Sequence, residues 1–308
     1  MPKKWLPERP AYRPERRRVS YLLFSVFALW FACRLCRDRL HLFAGTLWLS
    51  LFLEIVVLFL PPLFFVLLRR GDRQRALRLR LPLPSAAPLL LLGFISLCSG
   101  AALLSLLTGG FDTLGSVVSP YAAGNGGVLV RLGAFAVIGL LPALFEGFLF
   151  YGVTAAEYER RGMVRAVMLS ALLFSLLHFD FSNLPAYLFF GALLAALFYA
   201  TDSLPAVWLM HALTSAVLFF SHPYLSALYA YTGNVPLLLF LLTLVCLLSL
   251  AFFCRLAAGV YRERNAENLD DPRRAVPMNV QFYTLLDALS DPMILLCFGL
   301  AVAGFILF

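Results

Sequence analysis

Long apolar runs separated by short polar links dominate the chain. They cover 19–36, 46–68, 86–107, 130–152, 164–180, 184–200, 203–221, 235–257 and 290–308. Each lies near the ~20 residues that cross a bilayer as a helix. The pattern predicts an all-α, polytopic transmembrane helical bundle of eight or nine spans. Two runs are short and the first ends in Arg34, Arg37 and Arg39, so eight stays open beside nine. Pro61-Pro62 predicts a kink or broken turn in the second span. The segment 108–127, with Gly109-Gly110 and Gly126-Gly127, reads as a loop. Residues 259–289 form the only long polar stretch after the core and predict a loop with a short interfacial helix. No internal repeat is apparent.

Composition supports this class: 61% of residues are hydrophobic and 14% charged, against about 45–50% and about 25% in soluble domains. A net charge of +8 raises nucleic acid as a partner, but its distribution argues against it. Basic residues cluster at 3–18, 69–80 and 160–165, with a looser set at 255–274, each beside an apolar run. That is the signature of cytoplasmic links and of contact with anionic lipid headgroups. With the N-terminus inside, 1–18, 69–85, 153–163, 201–202 and 258–289 are cytoplasmic. The external segments 108–127, 181–183 and 222–234 then contain no Lys or Arg, and only the link 34–39 breaks the pattern. Nine spans would leave the C-terminus outside. No small-residue cleavage pattern follows the basic N-terminus, so the first run reads as an uncleaved span. The six cysteines lie in or beside apolar runs. Cys33-Arg34-Leu35-Cys36 is an isolated C-x-x-C, read as packing and not as metal or redox chemistry.

Against this background, three residues stand out. Glu146, His178 and His211 lie inside apolar runs, where an ionisable side chain costs roughly 2.5–3.5 kcal/mol on insertion scales and marks a functional site by default. The chain has only four histidines. A carboxylate and two imidazoles on separate spans suit a proteolytic centre below the membrane surface. From the cytoplasmic side, His211 lies about 12 Å in and His178 about 18–20 Å in, whereas Glu146 lies about 8 Å in. Tilt or a broken helix must close a mismatch of about 10 Å between Glu146 and His178. Glu54, mid-span in the second run, is a further candidate, to line the cavity, pair with Arg131 or move protons. Asp180 and Asn183 read as a cap or turn, and His41 and His222 as boundary residues.

The stretch 128–221 resembles the core of the CPBP membrane proteases, relatives of the type II CAAX prenyl endopeptidases that include bacterial bacteriocin-immunity proteins. That family carries E-E-x-x-x-R, F-x-x-x-H and H-x-x-x-N on successive helices. The matching positions here are Glu146 to Tyr151, Phe174 to His178, and His211 to Ser215. Pro142, Gly152, Gly191-x-x-x-Ala195 and Thr201-Asp202-Ser203-Leu204 also resemble family positions. On this reading 1–127 is a basic segment with about three spans, 128–221 the catalytic membrane core, and 222–308 C-terminal spans with a cytoplasmic loop.

Three positions depart from the pattern: Gly147 replaces a glutamate, Tyr151 an arginine and Ser215 an asparagine. Positions 147 and 151 are i and i+4, which predicts that they face each other and that an ion pair was lost as a unit. The resemblance implies that Glu146 activates water with His178, while His211 and Ser215 stabilise the oxyanion. The competing reading has Glu146, His178 and His211 hold a divalent metal such as zinc.

The partners implied are membrane lipids and a membrane-associated peptide or protein, with no nucleic acid. The resemblance implies a bacterial cell membrane; the apolar runs predict a multi-pass protein and the basic links a cytoplasmic N-terminus. Two alternative classes are a catalytically silent relative that regulates a membrane partner, and a transporter. The missing repeat argues against the latter.

Overall fold

Each apolar run winds into helix. The computed structural model describes residues 15–39, 47–68, 77–108, 127–159, 162–232, 234–266 and 278–308, and among these there is no strand. The helices are α1 (Glu15–Arg34, extended by a π turn), α2 (Leu47–Leu68), α3 (Pro84–Thr108), α4 (Val128–Tyr158) and α5 (Met163–Leu177). They continue as α6 (Leu184–Thr201), α7 (Leu204–Thr232), α8 (Val235–Ala266), α9 (Met278–Leu289) and α10 (Pro292–Leu307). Most of the 108–127 loop lies outside the described residues. The short helix expected within 259–289 is α9.

Among the described residues, seven helices are long and apolar enough to cross a membrane, or up to eight with α9 and α10, which bend by 67° at their junction. The exception is α5. Its 15 residues reach only about 22 Å against a ~30 Å hydrocarbon core. Most of its residues are buried among neighbouring helices, so it is an inner element of the bundle. The chain is an integral membrane protein.

Local chemistry sets the helix ends that matter for the site. Ser203 precedes α7, and its Oγ accepts from the Ala206 N–H at 3.2 Å, an N-cap. Asp180 accepts from the Asn183 backbone and side-chain amides at 3.1 and 2.8 Å, so this pair builds the turn between α5 and α6, as its sequence position predicts. Asp202 sits between α6 and α7 at φ 52°. Arg78, itself at φ 50°, pairs with Asp202 at 2.7 Å and with Glu159 at 2.5 Å, and lies over the Phe198 ring. Arg80 also pairs with Asp202. This clasp ties the chain before α3 to the α6–α7 turn and the end of α4.

Between lipid-surrounded helices, packing and interhelical hydrogen bonds replace the hydrophobic drive of water. Close approach therefore needs small residues. At Gly191 of α6 a Cβ would stand 3.0 Å from Phe174 and 3.1 Å from the Ala171 Cα of α5. Ser96 of α3 donates to Ser249 of α8 at 2.8 Å. Leu149, Phe150, Tyr151, Leu169, Phe174 and Phe198 are fully buried where α4, α5 and α6 meet.

Candidate active site

Glu146 lies on α4 between two π-helical segments, Ala136–Leu140 and Phe148–Ala155. Pro142 contributes to the first irregularity because it has no N–H to continue the α ladder. The Glu146 residue is 9% exposed. π-Helical turns concentrate at functional sites because they re-aim side chains at little cost in length.

The helix continues to Tyr158, six residues beyond the end of the apolar run at 152. That extension resolves the depth mismatch. Measured from the α4–α5 link, Glu146 is about 18 Å from Tyr158 and His178 about 22 Å from Met163.

The structure brings Glu146, His178 and His211 together. His178 Nε2 is 3.9 Å from Glu146 Oε1, and His211 Nε2 is 3.9 Å from Glu146 Oε2. His178 caps the end of α5, and its Nδ1 lies 2.8 Å from the Phe174 carbonyl. A carbonyl only accepts, so Nδ1 carries the proton and Nε2 presents its lone pair toward Glu146. The Tyr187 ring stacks on His178 at 3.9 Å, and Phe174 meets it edge-on at 4.9 Å. Phe190 meets His211 at 4.9 Å. Aromatic faces thus fix both imidazoles and exclude competing polar partners. His211 Nδ1 is buried without a hydrogen-bond partner.

The other candidates are placed differently. Ser215 is half-buried one turn beyond His211 on α7, with no hydrogen bond to the three residues. Positions 147 and 151 do not face each other. A Cβ at Gly147 would point at Trp208 of α7, 2.6 Å from its Cδ1, whereas the Tyr151 hydroxyl donates to the Gly191 carbonyl of α6 at 3.1 Å. The i,i+4 expectation fails because the two positions meet different neighbours: Trp208 of α7 fills the space beside Gly147, while the Tyr151 side chain reaches α6. Glu54 is buried, but it makes no ion pair with Arg131 among the described residues. Arg131 lies instead near the Phe220 ring. His41 falls outside the described residues, as does the side chain of His222.

Trp208 is a site neighbour that sequence reasoning missed. Its indole borders an apolar groove of about 540 Å³ beside α4, with Phe59, Leu63, Leu144, Phe145 and Phe148. Only its place one turn before His211 on α7 could have flagged it.

Catalytic zinc holds its ligands at about 2.0–2.2 Å, which sets tetrahedral ligand atoms roughly 3.3 Å apart. Here the two imidazoles address different oxygens of Glu146 from 3.9 Å. Among the described residues, no group of three His, Cys, Asp or Glu side chains is arranged to hold a metal ion. As placed, these residues do not fit a metal.

The match to known proteins falls on this region. A model of the family "Type II CAAX prenyl endopeptidase Rce1-like" matches residues 129–217, which contain Glu146, His178, His211 and Ser215. Over this stretch the chain is similar to the CAAX proteases. No curated protein and no solved structure matches it. The matched stretch begins with α4 and ends within α7, so the similarity to the CAAX proteases lies on the helices that carry the three converging side chains.

Proposed function

We propose that the chain is an intramembrane endopeptidase in which Glu146 is the general base, with residues 128–221 as its catalytic core. The observation that carries this reading is Glu146 held between two imidazoles, each 3.9 Å from a different carboxylate oxygen. That spacing leaves room for a water to hydrogen-bond to the carboxylate and to His178 Nε2 together, as general-base catalysis requires. In the reaction Glu146 takes one water proton while the water oxygen attacks the peptide carbonyl. His178 accepts the other water hydrogen as a hydrogen bond and orients the oxygen. His211 donates an N–H to the developing oxyanion, and the Ser215 hydroxyl adds a second donor. Glu146 then returns the proton to the leaving amine.

Substrates are peptides that reach the membrane. The apolar groove beside α4 suits the hydrophobic part of such a substrate. A regulatory relative without catalysis would have no need of an acid–imidazole cluster in the membrane, where each ionisable group is costly. The test is cleavage of membrane-associated reporter peptides by purified full-length chain in lipid. Activity in the wild type that Glu146→Gln and His178→Ala abolish supports the reading. Equal cleavage by Glu146→Gln overturns it.

A further inference from the structure

The backbone at His178 is held from outside the matched region. His178 closes α5 as its C-cap, and its carbonyl is one of those that a helix end leaves without an intrahelical donor. The first helix supplies a donor: Arg34 Nη1 of α1 bonds to the His178 carbonyl at 3.1 Å. A cation is favoured at a helix C-terminus, and a charge-assisted bond is the stronger kind. Arg34 is itself held on two sides. Its Nε donates to Asp38 at 3.0 Å, and its guanidinium lies 5.0 Å from the Phe308 ring at the end of α10.

The next residue is strained. Phe179 stands in the left-handed region at φ 50°, just past the C-cap, where glycine is usual and a bulky side chain is an outlier. Its side chain is buried between α1 and α10. Phe27 and Phe31 of α1 meet the ring edge-on at 6.3 and 5.8 Å, and Phe308 lies 6.1 Å away. Gly304 of α10 leaves the room this needs, since a Cβ there would stand 2.7 Å from the ring. Such backbone persists only where its surroundings over-determine it, and it clusters at functional sites. The first and last helices thus grip His178 and Phe179 together. The imidazole feels that grip, because Nδ1 bonds to the Phe174 carbonyl in the same turn and Nε2 faces Glu146 at 3.9 Å. Arg34 also lies in the one link, 34–39, that breaks the charge pattern of the external segments, and its bond to His178 gives it a use other than topology.

We propose that Arg34 is a positioning residue for the hydrolysis: from α1 it fixes the backbone on which the His178 imidazole stands. This rests on the endopeptidase reading above. A water between Glu146 and His178 Nε2 must be aligned with the peptide carbonyl, and a misplacement of about 1 Å can cost on the order of 10²-fold in rate. Arg34 takes no proton and acts only through the placement of His178.

His178–Phe179 is the only His–Phe step in the chain. Histidine labelled with carbon-13 at the carbonyl, together with nitrogen-15 phenylalanine, therefore isolates the His178 carbonyl in NMR spectra of the purified full-length chain in lipid. Arg34→Met keeps much of the apolar stem and removes the donor, while Asp38 retains Arg37 as a partner. It is expected to move the carbonyl signal upfield, and Arg34→Lys to restore it in part, since an ammonium donates without the guanidinium fork. Kinetically, Arg34→Met is expected to lower kcat roughly 10–100-fold at nearly constant KM, with partial recovery in Arg34→Lys. Ser96→Ala, which breaks a bond between α3 and α8, is expected to leave kcat unchanged, and so separates positioning from stability. An unmoved carbonyl signal in Arg34→Met overturns the proposal, as does its wild-type kcat or an equal fall of kcat in Ser96→Ala. Asp38→Asn, which loosens Arg34 without removing it, carries both measurements if the methionine variant fails to fold. The carbonyl signal is read without substrate, so it stands or falls apart from the endopeptidase reading, which fails if Glu146→Gln still cleaves.

Discussion

Trp208 occupies the space that any side chain at Gly147 would need. A Cβ there would lie 2.6 Å from the indole Cδ1 and 2.9 Å from Nε1, an N–H that is buried with no acceptor. Gly147→Ala is therefore expected to destabilise the chain by about 1–3 kcal/mol as overpacking. Trp208→Leu should relieve that cost, with a coupling of about 0.5–3 kcal/mol in a double-mutant cycle. Restoring Glu at 147 and Arg at 151 together should not recover stability, because the two positions address different helices. Denaturation of the four variants in mixed micelles measures both outcomes.

Tyr151 is fully buried, and its hydroxyl satisfies the Gly191 carbonyl where α6 lies close against α5. Tyr151→Phe should cost about 0.6–1.7 kcal/mol, the range of interhelical hydrogen bonds in membranes. Tyr151→Arg should cost more, since it adds a buried cation near Glu146 and breaks the same bond. An arginine variant as stable as the phenylalanine one would argue that the pocket is wetter than its burial indicates.

His178 and His211 do different work in the proposed reaction. His178→Ala should lower kcat by roughly 10²–10⁴-fold, as for loss of a group that acts on the proton in flight. Ser215→Ala should cost less than His211→Ala, because Ser215 lies one turn farther along α7 with no bond to the other three. A strong zinc chelator should leave cleavage intact, given the poor fit of the cluster to a metal. Chelator-sensitive cleavage restored by zinc alone would reverse that assignment.

Asp202 stands in the left-handed region at φ 52°, a conformation natural for glycine and tolerated by Asp. Its ion pairs with Arg78 and Arg80 hold the clasp over the α6–α7 turn. Asp202→Ala keeps the strained backbone and loses the pairs, so it should destabilise by ~1–3 kcal/mol. Asp202→Gly loses the pairs but relieves the backbone, and should recover roughly 1 kcal/mol of that loss. Thermal unfolding of both variants distinguishes the two contributions.

We propose the orientation that the arginines and lysines predict, with 69–85 cytoplasmic and 108–127 external. In that orientation the proposed cytoplasmic link after α4 shortens to about 159–162, since α4 itself runs to Tyr158. In a cysteine-free background, Arg75→Cys should be labelled only from the cytoplasm and Ser116→Cys only from outside. The opposite labelling would invert the whole topology.

Hydropathy alone determined the class, because lipid leaves the backbone no partner except its own helix and each run had to be long and apolar. The same constraint made Glu146, His178 and His211 conspicuous, since three ionisable groups in such runs carry a cost that only a shared site offsets. Helix ends and windings were less legible. Glu157, Glu159, Arg160 and Arg161 make 153–163 read as a polar link, yet the helix runs on to Tyr158 and that extension brings Glu146 to the depth of His178. Nor does the stretch 147–151 announce that Gly147 abuts Trp208 and Tyr151 reaches Gly191, which undoes the i,i+4 argument. Those features depend on which neighbours fill which gaps, a property of several helices packed at once. For the same reason Glu54 was visible as an acid on α2, but only the packing of the helices showed that Arg131 is not its partner.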